Sequence, residues 1–169
     1  MYLLLYGRRG YNKPVPKKIK FLNSFIYNAC IYYFIEKLKH RPKNFEETIE
    51  EIKNMYKCTI ELLVHYDGTL LEMFLQDSRM KIEFENFPEM VCADATYKLI
   101  DLKIPLYVLL VENGNGQSEV AALGLLVNEE KETLAWFFKK FKELNPTSIN
   151  TRVFITDRHE GADSLKKSV

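Results

Sequence analysis

From Met90 the chain runs apolar, Met-Val-Cys-Ala, then delivers Asp94 and turns polar by Tyr97. A continuous apolar run of this length, rich in β-formers, predicts a buried strand. Pro105 precedes a second such run, Leu106 to Val111. Asn113-Gly114-Asn115-Gly116 supplies residues that tolerate positive φ, and Ser118 to Val127 reads as the return strand of a hairpin. The apolar spacing then becomes helical, with Leu134, Phe137, Phe138, Phe141 and Leu144 on one face. Asn128 is the predicted cap, Glu129, Glu130 and Glu132 occupy the first turn, and Lys139, Lys140 and Lys142 lie toward the C-terminal end. Asn145-Pro146 ends the helix. Val153 to Asp157 is a further strand, and Glu160 to Lys167 begins another helix.

The first half is less regular. Residues 7–20 carry Arg8, Arg9, Lys13, Lys17, Lys18 and Lys20 with no acid, a composition that suggests an extended basic arm able to touch phosphate or simply solvated. Phe21 to Leu38 reads as a helix apolar around much of its circumference. After the break at Pro42, Asn44 looks like an N-cap, and Phe45, Ile49, Ile52 and Tyr56 keep helical spacing. Glu46, Glu47, Glu50 and Glu51 then form a solvated face rather than a cation site. Asp67-Gly68 between two β-prone runs signals a hairpin within Thr59 to Leu75, with a helix over Leu70 to Leu75 as the alternative. Ser78 to Phe87 reads as a short amphipathic helix carrying Met80, Ile82, Phe84 and Phe87, stopped by Pro88.

The order from Met90 is therefore strand, strand, strand, helix, strand. Two hairpin connections and a right-handed crossover predict three antiparallel strands, with the fourth parallel to the first and beside it. That topology brings Asp94 and Asp157 to neighbouring strand ends, where two carboxylates suit a shared divalent cation. The competing reading is structural, since a strand-end Asp is often a helix cap or a turn residue.

A chain of 169 residues fits one domain with an appended segment, and 47% hydrophobic residues suffice for a core. The net charge of +1 does not by itself declare a nucleic-acid binder. Cys30, Cys58 and Cys92 match no zinc or disulfide spacing, which favours buried thiols in a reducing compartment. The start is not a secretory signal, and Lys20, Asn23, Ser24 and Asn28 interrupt the longest apolar stretch, so no membrane span is expected.

Several pieces fall into a known order. Phe87-Pro88-Glu89, Asp94-Ala95-Thr96-Tyr97-Lys98, Pro105-Leu106, Leu125-Leu126-Val127-Asn128-Glu129, Trp136-Phe137-Phe138 and Ile155-Thr156-Asp157 follow the spacing of the MULE-type (Mutator-like) transposase domain. Within it the chain is most similar to the animal zinc-finger SWIM-domain proteins thought to descend from such transposases. The resemblance covers roughly Gln76 onward. It implies an α/β (α+β), ribonuclease-H-like mixed sheet, truncated after the fourth strand, with a helical N-terminal extension. The expected divisions are 1–60, an arm and helices; 61–89, a hairpin and helix lead-in; and 90–169, the partial ribonuclease-H-like domain.

The resemblance also implies a site of three acids binding two Mg²⁺ ions. Asp94 and Asp157 match the first two as catalytic and metal-binding residues. The third acid of the family lies further downstream, and Glu160 and Asp163 are too near Asp157 to match it. With two carboxylates, Mg²⁺ is expected to bind weakly and catalysis to be incomplete. Tyr97, Lys98, Arg158 and His159 are the expected DNA contacts, though Tyr97 could pack beneath the sheet edge and His159 could simply be exposed. The Cys-x-Cys and Cys-x-His of the SWIM zinc motif are absent, so no zinc is expected. The family's Asp-Glu before the crossover helix reads Asn128-Glu129, and Glu129 is taken as an N-terminal helix charge. Trp136 and the Phe series are expected to be core. A nuclear location follows from the resemblance alone, and the aromatic helix 21–38 offers a surface for a protein partner. The same pieces also fit an enzyme fragment completed by a further segment or a partner chain.

Overall fold

The computed structural model describes residues 2–5, 45–96 and 105–156. The basic arm, the aromatic helix 21–38, the Asn44 cap and the helix from Glu160 lie outside the described residues. The chain divides into two compact units, one of Met1–Gly7 with Thr59–Val169 and one of Arg8–Cys58.

The described part of the second unit is helix α1, Phe45–Tyr56. Ile49 and Ile52 are buried, while Glu46, Glu47, Glu50 and Glu51 are exposed as the acidic-face reading expects. Cys58 is buried and its thiol donates to Ile52 O at 3.8 Å.

The first unit is a single seven-stranded sheet with helices laid on it. Its elements are β1 (Tyr2–Leu5), β2 (Cys58–Val64), β3 (Leu70–Asp77), α2 (Ser78–Asn86), β4 (Met90–Thr96), β5 (Leu106–Glu112), β6 (Ser118–Leu126), α3 (Lys131–Leu144), a 3₁₀ turn (Pro146–Asn150) and β7 (Val153–Thr156). The strand order is β1-β7-β4-β5-β6-β3-β2. β4, β5 and β6 are mutually antiparallel, and β7 lies beside β4 and parallel to it, as the connection lengths require. The hairpin reading of Asp67-Gly68 holds over the helical alternative: His65 N donates to Thr69 O at 2.8 Å, and Gly68 takes φ +85°. The sheet is wider than the four strands read from the sequence. β3 pairs antiparallel with β6 on one side, and β1 pairs parallel with β7 on the other.

α3 packs across β3 and β6 through Leu134, Phe137, Phe138 and Phe141, all buried. Ring centroids lie 5.6 Å apart for Phe74 and Phe137, 5.5 Å for Tyr107 and Phe137, and 5.3 Å for Phe138 and Phe154. The tilted and edge-on arrangement of these rings suits their quadrupoles and locks the helix to β3, β5 and β7. In α2, Met80 and Phe84 are buried and Phe87 is half-buried, but Ile82 is 54% exposed. Ile82 follows Met80 by two positions, which on a helix turns it away from the face shared by 80, 84 and 87.

Two details of the helix starts differ from the sequence reading. α3 begins at Lys131 with Glu130 as N-cap, and Glu130 makes no side-chain cap bond. Asn128 instead closes a turn, its Oδ1 accepting from Glu130 N at 3.0 Å and from Thr133 Oγ1 at 2.8 Å. Asp77 is the side chain that caps: its Oδ1 accepts from Met80 N at 2.7 Å. Among the described residues no helix is long and apolar enough to cross a membrane.

Candidate functional site

β4 is the strand that presents Asp94. Val91, Ala93 and Ala95 belong to the aromatic core beneath α3 or pack against it, so the alternate residues Cys92 and Asp94 face the other side of the sheet. Asp94 pairs with Val108, Val108 with Leu123, and Leu123 with Leu75. It is thus the one charged member of an otherwise apolar, buried row, and is itself half-buried. A carboxylate in such a row costs stability unless a partner or a ligand compensates it.

The parallel strands β4 and β7 finish at the same end of the sheet. Their last registered pair is Ala93↔Thr156, so Asp94 immediately follows one member and, in sequence, Asp157 immediately follows the other. Asp157 itself lies outside the described residues, as do Tyr97, Lys98, Arg158 and His159. Among the described residues no group of three or more His, Cys, Asp and Glu side chains could hold a metal ion. The donor chemistry on β4 favours a hard cation. Burial, and to a lesser degree the charge of Glu112, push the Cys92 thiol up, so it stays protonated beside the carboxylate and makes a poor soft ligand.

A second polar cluster, which the sequence did not single out, joins β3 to the start of α3. Glu72 is only 5% exposed, and burial raises its carboxyl to about 7 against a hydrogen bond from Thr133 that lowers it. Glu129 is also buried, with both carboxylate oxygens shut off from solvent, so it is not the exposed helix charge that its position suggested. The available signal for Glu72 was its spacing with Phe74 and Gln76, which puts all three on the α3-facing side of β3.

The chain matches the family described as "Zinc finger SWIM domain-containing protein 1/3, RNaseH-like domain" over residues 40–166. That span takes in the β2–β3 hairpin and α1 as well as the strands from Met90 onward. No curated protein and no solved structure matches the chain. The sheet of β4 to β7 with its crossover helix agrees with that family fold, and the match spans well over half of the sequence. The chain belongs to the RNaseH-like domain family of zinc finger SWIM domain-containing proteins 1/3.

Proposed function

We propose that this domain descends from a transposase, has been domesticated, and binds nucleic acid with a divalent cation held by Asp94 and Asp157, without cutting it. The observation that supports this reading is the Ala93↔Thr156 pair at the shared end of two parallel strands, each member followed in sequence by an aspartate. Two aspartates brought together without a cation repel one another, and a hard ion with oxygen ligands relieves this. A bound Mg²⁺ would supply positive charge for a phosphate oxygen. Lys98, Arg158 and His159 would hold neighbouring phosphates, and Tyr97 would stack on a base. Hydrolysis by two ions needs both the attacking and the leaving oxygen coordinated, which a pair of carboxylates supports poorly. Such a protein would act in the nucleus.

The test measures binding of labelled DNA against salt, with and without Mg²⁺, together with plasmid nicking. The wild-type chain should bind more weakly as salt rises, gain affinity with Mg²⁺, and leave plasmid intact; Asp94→Asn should lose the Mg²⁺ gain. Mg²⁺-dependent nicking that disappears in Asp94→Asn would make the protein an enzyme instead. Absent or salt-insensitive binding would point to a protein-interaction module.

A further inference from the structure

We propose that the outer edge of β7 is a strand-acceptor site, and that a second copy of this chain can fill it with its own Tyr2–Leu5. β1 pairs with β7 in parallel from Tyr2↔Val153 to Leu5↔Thr156. Parallel neighbours cannot be joined by a tight turn, so a long connection must separate the strand from its place in the sheet. Here that connection contains Arg8–Cys58, a compact unit of its own, while Met1–Gly7 is grouped with Thr59–Val169. The strand is held by its pairing and by this tether alone.

The choice between the chain's own strand and a neighbour's is then one of effective concentration. A short flexible tether gives about millimolar, and the value falls roughly as the −3/2 power of tether length. Across a connection as long as this one the advantage of the intramolecular strand is small. The pairing is chemically the same in both arrangements, with the same residues, register and backbone hydrogen bonds. If two copies each give and accept one strand, the exchange closes with two-fold symmetry and leaves no β7 edge open. A bare β7 would present unpaired backbone groups beside the half-buried Val153 and Ile155, an edge prone to recruit another chain.

The experiment uses full-length chains. Leu4 and Ile155 are registered partners, so cysteines at these positions lie within disulfide reach across adjacent strands. A Leu4→Cys chain and an Ile155→Cys chain are mixed from about 20 μM to 1 mM, oxidised mildly, and the 4–155 disulfide is identified by peptide mass. A Leu4→Cys/Ile155→Cys double variant is the intramolecular reference. A Leu4→Cys chain mixed with an Ile149→Cys chain measures random collision, since Ile149 is 88% exposed. The expected result is a mixed 4–155 disulfide that grows with concentration, at least tenfold above the 4–149 control, and a double variant that closes on itself at low concentration. A double variant that closes while the mixture never exceeds the control would overturn the exchange. A double variant that does not close would overturn the β1–β7 pairing itself.

Discussion

Gln76 and Asn145, 69 positions apart, exchange a reciprocal pair of amide hydrogen bonds: Gln76 Nε2 donates to Asn145 Oδ1 at 3.0 Å and Asn145 Nδ2 donates to Gln76 Oε1 at 3.1 Å. The remaining amide hydrogens are also used, from Gln76 to Ala121 O and from Asn145 to Phe141 O, each at 2.8 Å. Both residues are buried, Asn145 completely. One polar contact thus ties β3, β6 and the end of α3 together within an apolar core.

Asn145→Ala should destabilise the protein by about 3 kcal/mol, because it strands Gln76 and the Phe141 carbonyl in a buried site. Gln76→Leu with Asn145→Leu should cost less than the sum of the single changes, since the double change removes both ends of the pair. Urea denaturation of the four species gives the coupling directly. Strict additivity would mean that the two amides do not depend on each other.

Gly124 is fixed by a close approach. A Cβ placed there would come 2.6 Å from Cε2 and 2.8 Å from Cδ2 of Phe137, a fully buried ring wedged among Phe74, Tyr107 and Phe138. Gly124→Ala should therefore lower stability by about 1–3 kcal/mol as an overpacked core. Shrinking the ring with Phe137→Leu should recover part of the loss in the double variant, as read from thermal midpoints.

The strands from Met90 onward were legible because apolar runs, turn glycines and one helical spacing all agree, and connection lengths then fix the topology. Asp94 was legible as a charge that breaks an apolar run. What hid was non-local. Nothing near Gln76 or Asn145 announces the other, since a buried amide is defined by a partner 69 positions away. Leu3 and Leu4 are too few to declare a strand without the β7 edge that receives them. Glu72 looks like any exposed strand acid until α3 covers its face of the sheet. The Asn128 misreading was local: an Asx turn and an N-cap use the same side-chain oxygen, and only the helix start tells them apart.

The two helix starts should respond differently to alanine. Asp77→Ala removes the side-chain acceptor for Met80 N and should cost about 1 kcal/mol. Glu130→Ala removes no capping bond and should be close to neutral. Asn128→Ala loses two accepted hydrogen bonds, from Glu130 N and Thr133 Oγ1, and should cost about as much as the Asp77 change although it lies outside the helix. Chemical denaturation of the three variants in parallel ranks them, and a Glu130→Ala loss as large as that of Asp77→Ala would contradict the assignment.

Glu72 makes stability depend on pH in an unusual direction for an acid. Its carboxyl rises from 4.5 to about 7, driven by burial, so the folded protein keeps a proton that the unfolded chain has released. Wherever the native state binds more protons than the unfolded one, stability falls as pH rises. The loss should run from about pH 4.5 to about pH 7 and then level off, a total on the order of 3 kcal/mol at 1.36 kcal/mol per unit. Below pH 4.5 both states carry the proton and the contribution is flat. Among the described residues Oε2 of Glu72 has no hydrogen-bond partner, so ionising it adds charge to an oxygen with nothing to receive it. Glu72→Gln keeps the shape and a donor toward Thr133 while removing the titration. The variant should match wild type near pH 4.5 and exceed it increasingly up to pH 7.5, measured as urea midpoints across that range. Parallel curves for the two proteins would show that Glu72 ionises at its ordinary value and that its burial is relieved by water.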